Sequence, residues 1–312
     1  MFRTIAARLL DAVPTVLLVL TLMFVTLRLL PGDPALVVLG DYATPEQLAL
    51  FRRQMGLDVP VWQQFFAFLW NMLTLDFGAS MITQQPVVQL IAENLPFTIE
   101  LTLLATAMGL AAGVPLGVLA AVNRGGWPDS GVRVFSLIGY AIPDFYLGAL
   151  MLIVFALNLG WFPINGGGEG FWDRLYHAFL PALTLAMVKS AFLGRLTRTS
   201  LLEVLGRDYV RTARAKGARE TRVIYRHALR NALLPVTTGL GLSLLATLSG
   251  SVAIELIFNR PGIGEMLISA IAKRDYPVIQ GGVVIFAFFV VFVNLLVDLA
   301  YIVVDPRIRV KA

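Results

Sequence analysis

The chain has no cysteine. A disulfide framework, a thiolate nucleophile and a thiolate metal site are therefore excluded. Histidine is nearly absent, with only His177 and His227 in 312 residues. A lone histidine is more often structural than a ligand, and the two lie far apart in sequence. Lysine occurs only at positions 189, 216, 273 and 311, and none ends a Gly-x-x-x-x-Gly-Lys-Ser/Thr loop. That phosphate-cradling motif is missing, as are His-Glu-x-x-His and Gly-x-Ser-x-Gly. Charge is scarce too: 14% of residues are charged, against about a quarter in soluble domains. No catalytic constellation, metal site or cofactor site emerges within the chain.

What remains is apolar. Hydrophobic residues make up 57% of the chain, which points to an integral membrane protein. Six stretches are long enough, or nearly so, to cross a bilayer, which takes about 20 residues. They are Leu9–Leu30, Thr98–Val122, Val134–Leu159, Phe179–Leu196, Ala232–Phe258 and Val278–Val304. The first is longer than a signal-peptide core and lacks a small-residue cleavage site, so it reads as a retained span. The fourth is interrupted by Lys189, at a cost of about 2.5–3.5 kcal/mol at a span centre. Charge parity restores it. With six spans, seventeen basic residues fall inside and six outside, as the positive-inside rule requires. Both termini are then cytoplasmic, and Lys189 should face other helices or a wet path, not lipid.

Most of the net charge of +5 sits in one place. Nine arginines and Lys216 fall between Arg195 and Arg230, against Glu203, Asp208 and Glu220. The core of this run, Asp208–Pro235, reads DYVRTARAKGARETRVIYRHALRNALLP. Arg207, Arg211 and Arg214 form one stripe at helical spacing, and Arg219, Arg222, Arg226 and Arg230 form another. Gly217 lies between them, so the spacing predicts two short helices meeting at a glycine. Charge alone fits two basic helices on anionic lipid, at about 1 kcal/mol per residue. It does not explain the small patch Ala213, Ala215 and Gly217, which would let another protein approach closely.

Elsewhere the chain is punctuated by turns. The first external segment carries six acids and two bases. In it, Thr44-Pro-Glu-Gln predicts a capped helix ending near Gly56. Val61 to about Leu73, rich in Trp and Phe, predicts an amphipathic helix at headgroup depth. Gly109, Gly113 and Gly117 suit close helix packing within one subunit. Pro143-Asp144-Phe145 predicts a kink in the third span. After the fifth span, Pro261, Gly262 and Gly264 predict a tight turn. A short external helix from about Glu265 to Lys273 follows, and Pro277 starts the last span. Glu255 stands at the outer end of the fifth span, either as a structural pair or cap, or as a gate or substrate contact.

The basic run resembles the cytoplasmic EAA loop of permease subunits in ATP-binding-cassette importers. Their pattern is Glu-Ala-Ala, three residues, Gly and a later Leu-Pro. Here Arg211, Thr212 and Ala213 stand at Glu-Ala-Ala, Gly217 at the glycine and Leu234-Pro235 at Leu-Pro. These departures, YVRTARAKG followed by RHALRNALLP, resemble the branch that imports peptides and nickel. So do Leu30-Pro-Gly-Asp-Pro, Asp76-Phe-Gly-Ala-Ser, Leu180-Pro-Ala-Leu-Thr-Leu-Ala, Glu255-Leu-Ile-Phe-Asn-Arg-Pro-Gly-Ile-Gly and Arg274-Asp-Tyr-Pro-Val-Ile-Gln-Gly. The resemblance thus covers almost the whole chain.

It implies an all-α membrane permease. Residues 1–30 would be the N-terminal span, 31–97 an external segment and 98–306 the permease domain, with a coupling loop at about 197–231. It implies a second permease subunit, two ATPase subunits holding ATP and magnesium, an extracytoplasmic solute-binding protein and a lipid surround, with no nucleic acid. The ATPase-coupling residues would be Asp208, Arg211, Thr212, Ala213, Ala215, Gly217 and Ala218. The setting would be a bacterial inner membrane. Di- or oligopeptides are the expected cargo, with nickel chelates or glutathione as alternatives. Two rival classes stand beside this. An intramembrane enzyme would pair Asp144 with Asp298, or Glu255 with His177. A secondary transporter would show inverted repeats or proton-relay acids, and neither is clear.

Overall fold

The computed structural model describes residues 2–29, 44–54 and 58–304. Among them every extended regular element is helical, and the β pairing is one isolated bridge between Ala79 and Pro86. The helices are α1 (Phe2–Leu29), α2 (Pro45–Gln54), α3 (Val61–Leu73), α4 (Val87–Val122), α5 (Trp127–Ala141) and α6 (Asp144–Asn158). Then come α7 (Gly170–Leu205), α8 (Asp208–Ala215), α9 (Glu220–Ile257), α10 (Ile263–Lys273) and α11 (Tyr276–Val304). The second half of α6, Leu152–Asn158, winds as a π-helix, and so does the stretch Val223–Ala228 of α9.

Among the described residues four helices are long and apolar enough to cross a membrane: α4, α7, α9 and α11. The broken pair α5 and α6 makes a fifth candidate. Within α1 the apolar stretch among the described residues is shorter, Val13–Thr26. The third stretch departs from the expected single kinked span. It is two helices meeting at 102°. Ile142 is extended (ψ 121°), the conformation a following proline favours, and Pro143 starts α6 on a new axis.

The chain divides into two compact units, Met1–Pro96 with Ile263–Phe292, and Phe97–Gly262 with Val293–Ala312. In the first, Leu20 and Phe24 of α1 pack with Phe68 and Met72 of α3, Val87 and Ile91 of α4, Ile263 of α10 and Val284 of α11. Thr44 caps α2 as expected. The Gln47 N–H donates to Thr44 Oγ1 at 3.3 Å, and the Thr44 N–H donates to Gln47 Oε1 at 2.9 Å, a reciprocal capping box. The Leu30-Pro-Gly-Asp-Pro turn, Gly56, and Arg307, Arg309 and Lys311 lie outside the described residues. A buried polar pair holds the turn before α4. Ser80 Oγ donates to Asp275 Oδ2 at 2.5 Å, and the Met81 N–H donates to Asp275 Oδ1 at 3.1 Å. Ser80 Oγ in turn accepts from the N–H groups of Ile82 and Thr83. Gly281 lets α11 approach this turn, since a methyl group there would stand 2.6 Å from Val87 Cγ1.

In the second unit α7 is central. Of its most apolar stretch 61% is buried, against 33% in α4 and α9. That explains how a helix with a mid-span lysine can exist: Lys189 is 4% exposed, and its Nζ donates to Thr106 Oγ1 of α4 at 2.5 Å. The glycine stripe of α4 packs within the chain, as expected. Methyl groups on Gly109, Gly113 and Gly117 would collide with Lys189, with Leu193 and Ser190, and with Gly194 and Thr197 of α7.

A basic helix ending in a left-handed glycine

The face proposed for coupling is built on α8. Val210 is fully buried and anchors the helix. Asn231 Nδ2 of α9 donates to Tyr209 Oη at 2.9 Å. Arg214 reaches across the turn to Glu220, with Nε donating to Oε2 at 3.0 Å and Nη2 to Oε1 at 2.6 Å. That bond raises the Arg214 pKa. The two side-chain bonds tie α8 to α9. Neither Val210, Tyr209 nor Asn231 was singled out from sequence; a single apolar residue in a basic run was the available signal.

The opposite face of α8 is open. Asp208, Arg211, Thr212 and Ala215 are all exposed and fall at i, i+3, i+4 and i+7, on one side of a helix. Thr212 Oγ1 donates to the Asp208 carbonyl at 3.0 Å, and Arg211 lies 3.8 Å from the Asp208 carboxylate.

Gly217 ends the helix. Its φ is +79°, a left-handed angle that favours glycine. The Gly217 N–H donates to the Arg214 carbonyl at 2.9 Å, and the Ala218 N–H donates to the Ala213 carbonyl at 3.2 Å. This is the double bond pattern of a Schellman stop. Ala213 and Ala218, both half-buried, fall at the two positions whose side chains commonly meet in that motif. A methyl group on Gly217 would find no atom within 4 Å.

The expectation of two short helices meeting at Gly217 needs one correction. Only the first is short. The second is the beginning of α9, which runs on without a break through Pro235 to Ile257. Arg207 also stands before α8, paired with Glu203, and not within the helix.

Glu255 lies far along α9 and is fully buried. Thr98 Oγ1 donates to its Oε1 at 2.7 Å, and Gly262 closes over the carboxylate so tightly that a methyl group there would collide with it. Nearby, Arg260 Nη2 donates to Glu100 Oε2 at 3.1 Å, and Arg174 approaches Glu100 Oε1 at 2.8 Å. Both guanidinium groups lie over the Phe97 ring, 5.3 and 4.3 Å from its centre. Burial lowers the Arg260 pKa, and the Glu100 charge opposes that. His177 Nδ1 contacts the Asp173 carbonyl at 2.9 Å. The side chain of Asp298 lies outside the described residues. A residue unremarked in the sequence, Asp129, accepts from Arg198 Nε and Nη2 at 2.5 and 2.9 Å and from the Gly125 N–H at 2.9 Å. It ties the turn before α5 to α7.

Residues 113–310 match the family described as "Binding-protein-dependent transport system inner membrane component", and residues 1–102 match its N-terminal companion. The chain belongs to this family. A permease named for peptide transport in Brucella abortus (strain 2308) is 44% identical over 309 residues, covering 98% of each chain. The glutathione transport system permease protein GsiC of Pectobacterium atrosepticum is 42% identical over 304 residues, covering 97% of this chain and 98% of that one. Among solved structures, an inward-facing form of the MetNI methionine ABC transporter shares the fold. Its TM-score is 0.58 at 19% identity, over 70% of this chain and 98% of that chain. The permease is thus a multi-pass transport subunit of an ABC importer, and hydrolysis of ATP belongs to separate subunits. The intramembrane-enzyme and secondary-transporter readings fall away with that assignment.

Proposed function

We propose that this permease is one pore-forming half of an ATP-driven importer of di- or oligopeptides. It pairs with a second permease, two ATPase subunits that hold ATP and magnesium, and a solute-binding protein on the outer side. The observation that carries this is the open face of α8, held by a buried Val210 and two side-chain links to α9, in a chain that aligns over 98% of its length with a permease named for peptide transport. ATP closure of the two ATPases moves α8, and α9 passes that movement into the membrane. Such a change needs contacts that differ between the two states, and Asp208, Arg211, Thr212, Ala213, Ala215, Gly217 and Ala218 supply them. Glu255, enclosed by Thr98 and Gly262, acts as a structural clamp on the external turn. The test is uptake of a labelled dipeptide into vesicles holding the whole importer. ATP-dependent accumulation is expected, and its absence overturns the reading. Glutathione, itself a peptide, is the second cargo to consider, because relatives at 42% identity carry that name. Competition between glutathione and the dipeptide decides between them.

The six-span topology is part of the same proposal. α1, α4, α5 with α6, α7, α9 and α11 supply the spans, and both termini face the cytoplasm. Because the chain has no cysteine, Arg219→Cys gives a single label site. An impermeant thiol reagent is expected to react with it only after cells are opened. Labelling in intact cells reverses the orientation.

A further inference from the structure

Two charges that the coupling mechanism does not use line one cavity of about 360 Å³ in the second unit. They are Asp144, at the start of α6, and Lys189 of α7. Tyr140, Phe192, Ser243 and Thr247 line it with them. Among the described residues the two charges form no ion pair with each other. Lys189 is held instead by Thr106 at 2.5 Å. An ionisable residue inside a membrane is costly and marks a functional site by default. Two of opposite sign on one cavity, left unpaired with each other, are a stronger signal.

Neighbouring helices make room for both. On α4, a methyl group at Gly109 would stand 2.9 Å from Lys189 Cδ. On α9, a methyl group at Gly250 would stand 2.9 Å from Asp144 Oδ2. Larger residues at 109 and 250 would press on the two charged side chains. The cavity volume falls within the range of small-molecule sites, about 300–1,000 Å³. Its lining combines one cation, one anion, three hydroxyls counting that of Tyr140, two aromatic rings and the aliphatic side chains of Leu185, Val188, Leu242 and Ala246. Tyr140 and Phe192 meet edge to face, with centroids 6.3 Å apart, and present an apolar wall beside the charges.

We infer that the Asp144–Lys189 cavity is a binding site for a short zwitterion. Asp144 takes the ammonium end, Lys189 takes the carboxylate end, and Tyr140 and Phe192 hold an apolar side chain. This rests on the peptide-import reading and places a cargo contact in the permease itself. Charge complementarity selects the occupant. A lone anion would leave Asp144 unmatched, and a lone cation would leave Lys189 unmatched.

The test uses the complete complex of permeases, ATPases and solute-binding protein in vesicles, carrying Ala246→Cys on this chain. Ala246 lines the cavity and is exposed. The rate of maleimide labelling of this chain is followed while alanyl-phenylalanine is added. The free dipeptide should slow labelling. Its N-acetylated and C-amidated forms each lose one charge-assisted hydrogen bond, so each should need about tenfold more for half-protection. Asp144→Asn should erase the preference for the free amine, and Lys189→Gln the preference for the free carboxylate. The modified peptides test the idea on the Ala246→Cys background alone, so poor assembly of either charge variant leaves it decidable. If the complex imports the dipeptide but labelling ignores it, or if all three peptides protect equally, the site is refuted and the import reading stands. A complex that imports no dipeptide refutes both.

Discussion

Gly217→Trp is expected to leave the permease inserted in the membrane and to reduce cargo uptake about tenfold or more, the effect of overfilling a packed contact by roughly 1–3 kcal/mol. Two demands meet at this residue. The backbone is left-handed, φ +79°, so a side chain there strains the turn by about 1–2 kcal/mol. A Cβ there meets no atom of this chain within 4 Å, so the bulk of an indole is expected to be felt by a docked ATPase. Gly217→Asn separates the two, because asparagine tolerates the left-handed region while adding little bulk. It should keep most of the uptake and of the ATPase that copurifies with the permease. Wild-type uptake by Gly217→Trp would refute the docking role and leave Gly217 as a helix stop above a lipid surface.

Asp275→Ala should lower the thermal midpoint and the yield of the solubilised permease, with the turn at residues 78–87 becoming the first site of proteolysis. The carboxylate is 4% exposed and accepts from both the Ser80 hydroxyl and the Met81 N–H. Its removal strands the buried Ser80 hydroxyl and the half-buried Met81 N–H, at about 1–3 kcal/mol for a buried group left unmet. Asp275→Asn keeps acceptor capacity and should fall between wild type and alanine. Equal stability of all three forms would mean that the turn is held by its apolar contacts alone, chiefly Phe77 and Val87 against α11.

Local chemistry was the legible part of this chain. Thr44 announced a cap because its neighbours supply Pro at the first helical position and Gln at the third. Gly217 announced a stop because it follows a basic stripe at helical spacing. Lys189 had to face other helices or a wet path, and it lies buried with its Nζ on Thr106. Distance relations were not legible. Nothing in Asp76-Phe-Gly-Ala-Ser or Arg274-Asp-Tyr-Pro says that Ser80 and Asp275 meet across 195 positions. Pro143 signalled a break, but a proline sets only its own φ and restricts the residue before it. The 102° turn also depends on where α6 packs. The length of α9 was hidden for a related reason. The basic run and the fifth span read as separate helices, yet one helix runs through both, with Ala228, Ala232 and Val236 buried along it. Of the candidate site, a short basic helix ending at Gly217 followed from spacing, while its exposed face of Asp208, Arg211, Thr212 and Ala215 and its ties to α9 needed coordinates.

That continuity makes α9 one long rod. With 38 residues at about 1.5 Å each, it is roughly 55 Å long, well beyond the hydrocarbon thickness of about 30 Å. One end is clamped to α8 and the other carries Glu255. A rod works as a lever: swinging it about one end by about 5° moves the other by about 5 Å, taking the length from its helical rise. The π-wound stretch Val223–Ala228 sits just past the clamp, where a lever would have its wrist. In the proposed coupling, stiffness along the rod and compliance at that wrist set how much of each ATPase stroke reaches its far end.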